Sequence, residues 1–367
     1  MTDRRSLVLE IIRGAARGIA DAVAAGRRPE LRVPARTLAN VFYDPARGYF
    51  ELGDKQRLRT LSVRTARSFA QTLKLMAVAR ELVESGDFAT KREAYYLSKN
   101  WGDCRFEDQS ESDSILDDIE ALAAAHGITR DTLGFFPESH GGSVAGSLTV
   151  IDESGPEPVT VDCRALGRGA YSVPRSLDGI RFETDAELAL IIETGGMFQR
   201  LASHRFWERT RCVLVEMAGV PTRATRRFVR ALADDAGLPI YVFTDCDPYG
   251  FANIYRTLKA GSGNAAHAAR LHSVPSARFL GVTPADIDRF DLHDATHPLT
   301  DSDRKRAQDA LDNDPFFQAH PRWQQAIERL LDMGVRAEQQ ALAKWGLNFV
   351  LDEYLPAKLA SPDEFLP

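Results

Sequence analysis

Apolar residues recur at the spacing of an amphipathic helix near the start of the chain. This spacing predicts a helix over residues 7–24, which ends at Gly26. Its apolar face consists of Leu7, Ile11, Ala15, Ile19 and Val23. This helix lies far from the first core element, so it either packs on its own domain or docks a partner. We predict that residues 1–60 form an N-terminal helix and extension that docks a partner chain.

Three further helices are predicted in the next part of the chain. A long basic helix covers residues 62–85. Thr90 and Glu93 have the spacing of a capping box, in which the two side chains and backbone N–H groups satisfy each other. This predicts a short helix that continues to about Asn100. A third helix is expected to begin at Ser114.

A strand-like segment and a polar stretch follow these helices. Residues 135–146 are rich in Gly and Pro, and Ser147–Ile151 alternates like a strand. Three helices followed by a hairpin-like element have the order of a winged helix-turn-helix, which we predict over residues 61–152. Residues 152–158, Asp-Glu-Ser-Gly-Pro-Glu-Pro, are expected to be the linker to the next domain.

Short apolar runs alternate with helical segments in the second half of the chain. The four runs cover residues 188–192, 212–217, 239–244 and 277–282. Buried strands that alternate with helices are typical of a parallel sheet with crossover helices. Helical periodicity returns over residues 303–354. We therefore predict a multi-domain α/β protein in which residues 153–367 form a Rossmann-like domain with a C-terminal helical segment.

The composition limits the class of protein. The chain has 367 residues, of which 44% are hydrophobic and 27% charged, as in soluble globular proteins. This length can bury two cores. No apolar run approaches the roughly 20 residues of a membrane helix, so we expect neither a membrane span nor a secretion signal. The four cysteines are scattered singly, which indicates a cytoplasmic protein without disulfides or structural zinc.

The distribution of charge favours DNA binding more than the net charge of −6 does. Residues 55–80 contain seven basic residues and no acidic one, whereas acidic residues concentrate in 107–120 and 286–314. Four more arginines lie along one predicted helix, at Arg223, Arg226, Arg227 and Arg230. A single basic run is usually a solvated face. Two such runs beside a candidate nuclease site predict a track for DNA.

Three carboxylates are expected together at the carboxyl ends of neighbouring strands. Glu193 ends the first apolar run, and Asp245 and Asp247 follow the third in a D-x-D turn. Ligands of open α/β sheets bind at this edge, and crowded acids repel one another unless a cation lies between them. Because oxygen ligands favour Mg²⁺, the three acids form a predicted magnesium site, with Cys246 facing away. The spacing is similar to that of the Toprim fold of topoisomerases, primases and some nucleases.

A tyrosine is the candidate nucleophile. Tyr95 and Tyr96 are adjacent in the short helix that begins after Thr90. A phenol has a pKa near ~10 and needs a neighbouring base or cation before it attacks. Arg92 precedes Tyr96 by four residues and therefore lies on the same helix face. A tyrosine on a helix is more often a packing residue, so the helix alone leaves the assignment open.

The tyrosine helix and the acidic strand ends together resemble a known family. Residues 91–101, Lys-Arg-Glu-Ala-Tyr-Tyr-Leu-Ser-Lys-Asn-Trp, followed by a Toprim-like domain, closely resemble the A subunits of the archaeal type IIB topoisomerases, topoisomerase VI. These are related to the transesterases that start meiotic recombination. Further matching motifs are Glu138–Gly142, Glu193–Leu201, Gly219–Arg227, Gly261–His267 and Glu338–Leu342. The resemblance covers roughly residues 35–360.

The resemblance implies an enzyme that cuts and rejoins both DNA strands with Mg²⁺. Its nucleophile would be the second tyrosine of the pair, Tyr96, assisted by Arg92, and the intermediate a 5′-phosphotyrosine. It also implies a homodimer that joins an ATPase B subunit in an A2B2 heterotetramer and relaxes or decatenates double-stranded DNA. ATP would bind to the B subunit, because this chain lacks a G-x-x-x-x-G-K-[ST] loop. The implied setting is the nucleoid in the cytoplasm of an archaeon.

Basic residues are the candidate DNA contacts, and two other functions stay open. The candidate contacts are Arg59, Arg64, Arg67, Lys99, Arg223, Arg226, Arg227 and Lys259. One alternative is a recombination-initiating transesterase, which makes double-strand breaks without efficient resealing. The other is a Toprim protein that binds DNA but does not cleave it. Relaxation of a supercoiled plasmid in the presence of the B subunit would separate the three.

Overall fold

The computed structural model describes residues 2–136 and 141–367. Its α-helices are α1 (Thr2–Ala24), α2 (Ala66–Ser85), α3 (Lys91–Leu97), α4 (Gln109–Ala124), α5 (Gly195–Ser203), α6 (Trp207–Thr210), α7 (Arg223–Asp234), α8 (Arg256–Lys259), α9 (Ala266–His272), α10 (Pro284–Arg289), α11 (Asp301–Asn313), α12 (Pro315–Gln318), α13 (Pro321–Met333) and α14 (Leu355–Leu359). Its β-strands are β1 (Glu30–Pro34), β2 (Val41–Asp44), β3 (Tyr49–Leu52), β4 (Gln56–Thr60), β5 (Ala89–Thr90), β6 (Phe135–Phe136), β7 (Ser143–Gly146), β8 (Thr149–Asp152), β9 (Val159–Asp162), β10 (Tyr171–Ser172), β11 (Ile180–Glu183), β12 (Leu188–Ile192), β13 (Cys212–Glu216), β14 (Ile240–Phe243), β15 (Arg278–Gly281), β16 (His297–Pro298) and β17 (Val335–Arg336).

The chain divides into two compact units. The first contains Met1–Phe42, Phe50–Ser139 and Gly263–Leu271, and the second contains Tyr43–Tyr49, His140–Ser262 and His272–Pro367. Each unit therefore includes a segment that is distant in sequence from the rest of it. Three residues of the motif at 138–142, namely Glu138, Ser139 and His140, lie outside the described residues.

The N-terminal helix packs into the core of the first unit. Val8 and Ile12 of α1 are buried in one apolar cluster with Leu75 of α2 and Ile115 of α4. Burial of such side chains stabilises the fold by about 2 kcal/mol each. Of the two alternatives for this helix, packing on its own domain is therefore confirmed. Docking of a partner by residues 1–60 stays a prediction.

The three helices predicted after this extension are present. The capping box before α3 is confirmed, with the Thr90 hydroxyl accepting from the Glu93 N–H at 3.1 Å and the Glu93 carboxylate accepting from the Thr90 N–H at 2.6 Å. Helix α4 begins directly after Asp108, earlier than the predicted start at Ser114. The reason is that the Asp108 carboxylate accepts a hydrogen bond from the Glu111 N–H and caps this end.

Among the described residues, the strands that follow these helices, β6, β7 and β8, do not pair with one another as the expected hairpin would. Strand β6 pairs with β5 of the same unit, whereas β7 and β8 belong to two different sheets. The expected linker is also wrong, because residues 153–158 join β8 to β9 within one antiparallel sheet. The Gly- and Pro-rich composition marks a turn there, and this turn lies inside a sheet rather than between domains.

A six-stranded sheet forms the centre of the second unit. Its strand order is β10-β7-β13-β12-β14-β15. Strands β13, β12, β14 and β15 are parallel, and β7 runs antiparallel to β13 at one side. The interior positions Leu190, Leu214 and Val242 are fully buried, as a sheet covered on both faces requires. The prediction of a multi-domain α/β protein with a parallel sheet is confirmed.

The second unit also contains a smaller sheet and a C-terminal helical segment. Strands β11, β8 and β9 form a separate three-stranded antiparallel sheet. Helices α11 to α14 follow the central sheet, close to the predicted helical segment, and Trp323 of α13 packs against Phe251, Tyr255 and Phe279. Within the part of the chain that the structure describes, no helix is both long and apolar enough to cross a membrane.

Candidate active site

The ends of two parallel strands carry the acidic residues. Strands β12 and β14 are neighbours, and Ile192 lies opposite Phe243 at their carboxyl ends. Glu193 follows β12 directly, and Asp245 comes two residues after β14. The Asp245 backbone N–H donates to Glu193 Oε2 at 2.9 Å. The two strand ends therefore bring these carboxyl groups together, as sequence spacing predicts.

Backbone hydrogen bonds fix the conformation of the D-x-D turn that carries Asp245 and Asp247. Cys246 is fully buried, and its N–H donates to the Ala337 carbonyl oxygen at 2.7 Å. The Gly250 N–H donates to Asp247 Oδ1 at 2.5 Å. A Cβ atom at Gly250 would lie 2.8 Å from the Asp245 carbonyl oxygen, so a side chain there would force the turn to shift. This glycine is required by the close approach of the turn to the following helix.

The pKa values of all three acids are raised, because burial and neighbouring carboxylates disfavour their negative charge. Burial is the main cause that raises the pKa of Glu193 to about 8, and Asp245 adds to it. Burial also raises the pKa of Asp245 to about 6, with Asp247 and Glu338 as charged neighbours. The pKa of Asp247 is raised too, chiefly by burial. Each carboxylate therefore favours a proton or a cation beside it.

The carboxylate oxygens of the three acids suit Mg²⁺, although their side chains do not form a complete coordination site as they stand. Among the described residues, no three His, Cys, Asp or Glu side chains are grouped closely enough to hold a metal ion as they stand. All three candidate ligands offer oxygen, which Mg²⁺ prefers. One oxygen of each is fixed by a backbone N–H, from Asp245 to Glu193, from Gln339 to Asp245 and from Gly250 to Asp247. The second oxygen of each carboxylate is therefore the candidate ligand atom for a cation.

Two residues beside these acids were missed by sequence reasoning. The carboxylate of Glu338 lies close enough to raise the pKa of both Glu193 and Asp245. The Gln339 N–H donates to Asp245 Oδ1 at 2.8 Å. Both belong to the motif 338–342, but more than ninety residues separate them from the D-x-D turn. No spacing rule connects positions so distant in sequence.

The tyrosine helix lies in the first unit, and it treats its two phenols differently. Tyr95 is half-buried, and its hydroxyl accepts from Lys99 Nζ at 2.7 Å and donates to the Glu107 carbonyl oxygen at 3.3 Å. Tyr96 is 55% exposed. The Arg92 guanidinium carbon lies 6.0 Å from the centroid of the Tyr96 ring. Tyr95 is thus engaged in packing, and Tyr96 presents its ring to solvent beside an arginine.

Three candidate DNA contacts are buried. Arg59 is 9% exposed at its side chain and forms an ion pair with Asp118. Lys259 is 6% exposed, its ammonium donates to the Ala277 carbonyl oxygen at 2.8 Å, and burial lowers its pKa to about 8. Arg226 is also buried. A buried cation cannot reach a phosphate without rearrangement, so these positions do not support the contacts expected from sequence.

The remaining basic candidates lie nearer to solvent. Arg64, Arg67 and Lys99 are exposed in the first unit, and Arg223 and Arg227 are half-buried on α7. The acidic segment 107–120 neutralises part of the basic run, since the Arg67 guanidinium lies 2.6 Å from the Glu107 carboxylate. The positive charge of the run is therefore smaller in the folded unit than the sequence suggests.

Comparison with known proteins identifies three matching family models. One describes a type IIB DNA topoisomerase over residues 67–134, and a second the all-beta domain of the DNA topoisomerase VI alpha chain over 138–186. The third describes the Toprim domain that the A subunits of topoisomerase 6 share with Spo11, over 188–359. The first covers α2 to α4, the second covers the three-stranded sheet, and the third contains the acidic strand ends. The Toprim prediction is confirmed.

Curated relatives match over nearly the whole chain, and each is named as the A subunit of a type 2 DNA topoisomerase 6. The protein of Methanocaldococcus jannaschii is 50% identical, over 93% of this chain and 91% of its own length. The protein of Methanothermobacter thermautotrophicus is 35% identical, over 97% and 98%. The protein of Archaeoglobus fulgidus is 35% identical, over 96% of both chains. The chain therefore belongs to the family of topoisomerase 6 A subunits, within the type IIB DNA topoisomerases.

Proposed function

We propose that this chain is the DNA-cleaving subunit of a type IIB topoisomerase and that Glu193, Asp245 and Asp247 bind Mg²⁺ for the cleavage. The observation that carries the proposal is that the buried Glu193 and the half-buried Asp245 and Asp247 lie at two adjacent strand ends, where the pKa values of all three acids are raised. Structural acids usually have cationic or donor partners that lower their pKa, whereas perturbed acids cluster at functional sites. When bound, Mg²⁺ would stabilise negative charge on the scissile phosphate and on the leaving oxygen.

Tyr96 is the nucleophile in this proposal. Its phenol oxygen loses its proton and attacks a backbone phosphorus, forming a phosphotyrosine bond to the 5′ phosphate. The bond from phosphorus to the 3′ oxygen breaks, and that oxygen takes up a proton. One phosphodiester is exchanged for another, so religation is the reverse reaction and needs no cofactor in this chain. The positive charge of Arg92, whose guanidinium carbon lies 6.0 Å from the centroid of the Tyr96 ring, would stabilise negative charge that develops during the attack.

Partners follow from the family and from the two-strand cut. Double-strand cleavage needs two tyrosines, which a homodimer supplies through its two-fold symmetry. The family designation of an A chain implies a separate B chain, to which we assign ATP binding within an A2B2 heterotetramer. Chromosomal DNA as substrate would place the assembly at the nucleoid in the cytoplasm. Arg64, Arg67, Lys99, Arg223 and Arg227 are the basic residues that we propose as DNA contacts.

A plasmid assay with paired tyrosine variants tests this function. Supercoiled plasmid is incubated with ATP, Mg²⁺ and the B subunit, and with wild-type, Tyr96→Phe or Tyr95→Phe protein. We expect relaxation by the wild type, no relaxation and no covalent adduct with Tyr96→Phe, and measurable activity with Tyr95→Phe. Both substitutions remove one hydroxyl from adjacent residues of α3, so each controls for the other.

Other outcomes would redirect the assignment. Linear plasmid that accumulates without resealing would favour a recombination-type break-maker. Binding of plasmid with neither cleavage nor relaxation by the wild type would indicate a non-cleaving Toprim protein. Activity that survives Tyr96→Phe and disappears in Tyr95→Phe would show that the other phenol attacks.

A further inference from the structure

Gln339 connects the C-terminal part of the chain to the two acidic strand ends. The residue is fully buried at the start of a 3-10 turn, Gln339–Trp345. Its side-chain Nε2 donates to the carbonyl oxygen of Phe243, the last residue of β14, at 2.9 Å. Its Oε1 accepts a hydrogen bond from the Thr194 hydroxyl at 2.9 Å. Its backbone N–H donates to Asp245 Oδ1 at 2.8 Å.

These three hydrogen bonds reach both sides of the acidic cluster. Thr194 follows Glu193 directly, and Phe243 precedes Asp245 by two residues. One amide group thus bridges the end of β12 to the end of β14, while the backbone of the same residue orients an aspartate. The chain is also held in place two residues before Gln339, because Cys246 and Ala337 exchange backbone hydrogen bonds at 2.7 and 3.1 Å.

The chemistry of the bridge suits glutamine and few other residues. Thr194 presents a hydroxyl donor and Phe243 a carbonyl acceptor, so the bridging group must accept on one side and donate on the other. The glutamine amide both donates and accepts, whereas the negative charge of a glutamate would be repelled by the Phe243 carbonyl oxygen. A methionine has nearly the same length and volume and makes neither hydrogen bond.

We propose that Gln339 is a positioning residue that sets the separation of Glu193 and Asp245 for the metal ion; this rests on the proposed assignment of Mg²⁺ to those acids. Carboxylates that repel one another move apart unless the backbone that carries them is fixed. With the two strand ends bridged, the backbone positions of Glu193 and Asp245 are fixed when the chain folds, and only their side chains need to adjust when the cation binds. Residues that orient metal ligands in this way typically change metal affinity by about 10- to 100-fold when they are replaced.

Paired glutamine variants in the full-length chain test the inference without relying on activity. Gln340 is the exposed neighbour of Gln339 and offers a matched control. Mg²⁺ is titrated by calorimetry into wild type, Gln339→Met, Gln340→Met and Asp245→Ala, and thermal unfolding is recorded in EDTA. We expect Gln339→Met to weaken Mg²⁺ binding about 10-fold or more. Gln340→Met should bind as the wild type does.

Substitutions at Thr194 approach the same bridge from its other side, and they carry the test if Gln339→Met does not fold. Thr194→Val removes the hydroxyl donor and should weaken Mg²⁺ binding, whereas Thr194→Ser keeps the donor and should not. In the double variant Thr194→Val with Gln339→Met, Mg²⁺ affinity should fall by less than the product of the two single effects. The reason is that both substitutions remove the same hydrogen bond between Thr194 and Gln339.

The results separate this inference from the proposed function. Unchanged Mg²⁺ affinity in Gln339→Met or in Thr194→Val would overturn it, and a lower unfolding temperature alone would make Gln339 an ordinary structural residue. If Asp245→Ala also binds Mg²⁺ like the wild type, the assignment of the metal site itself is wrong. If Asp245→Ala loses Mg²⁺ while Gln339→Met keeps it, only the positioning role fails.

Discussion

Replacement of Glu193 by glutamine should stabilise the metal-free protein at alkaline pH. The structure raises the pKa of Glu193 to about 8, mainly through burial, from an ordinary value of 4.5. A folded-state pKa above the unfolded value means that the unfolded chain releases this proton first. The contribution of Glu193 to the free energy of unfolding should therefore fall as pH rises from 4.5 to about 8 and change no further above that.

The size of the effect follows from the same values. A tenfold change in proton affinity corresponds to ~1.4 kcal/mol. The rise in the pKa of Glu193 therefore means that its ionisation destabilises the folded state by roughly 5 kcal/mol at most. Glutamine keeps an oxygen that can accept from the Asp245 N–H and carries no charge. We expect Glu193 to account for most of the decline between pH 6 and 8, because the pKa of Asp245 is raised only to about 6.

Denaturant unfolding in EDTA at several pH values measures this directly. We expect wild type to lose several kcal/mol between pH 5 and 8.5 and Glu193→Gln to lose clearly less. Glu338→Gln is the comparison variant, since Glu338 is exposed and makes the smallest of the charged contributions to the raised pKa of Glu193, so its pH profile should stay close to that of the wild type. Saturating Mg²⁺ should restore wild type at pH 8.5 and leave Glu193→Gln unchanged. Parallel pH profiles for wild type and Glu193→Gln would refute the reasoning.

Two further predictions concern stability and DNA binding. Lys358→Met leaves the buried Asp286 carboxylate without the ammonium that lies 2.8 Å away. We expect this substitution to lower the free energy of unfolding by about 3–5 kcal/mol. The control Lys344→Met removes a more exposed ion pair and should cost less than ~1 kcal/mol. Equal losses in chemical denaturation would contradict this. Arg64→Ala should weaken DNA binding similarly for all sequences and reduce the dependence of log affinity on log salt by about one. Unaltered affinity and slope in a fluorescence titration would remove Arg64 from the DNA-contacting set.

Local patterns predicted much of the second unit. The continuous apolar runs at 188–192, 212–217, 239–244 and 277–282 are strands because a parallel sheet buried on both faces admits few polar residues. Strand ends are then defined by the first polar residue, so Glu193 and Asp245 could be placed at one edge. The capping box at Thr90 was equally readable, since it depends on residues only three apart.

Contacts between distant parts of the chain account for what the sequence did not reveal. The apolar face of α1 is visible, but its partner Leu75 is identified only by the folded core. The turn at 153–158 looks like a linker because turns inside sheets and linkers share the same residues. Gln339 reaches Asp245 across more than ninety residues, and His267, which lies between β14 and β15 in sequence, meets Glu120 at 3.1 Å in the first unit. Such pairings depend on topology rather than on periodicity.

The identity of the attacking atom is the central claim, and mass spectrometry of the trapped adduct tests it most directly. Wild-type protein is denatured during cleavage with its B subunit, the DNA is digested with nuclease, and the tryptic peptides are sequenced. We expect a residual nucleotide, attached through its 5′ phosphate, on Tyr96 in the wild type and in Tyr95→Phe, and no such peptide in Tyr96→Phe. A nucleotide on Tyr95, or on any residue outside helix α3, would contradict the account.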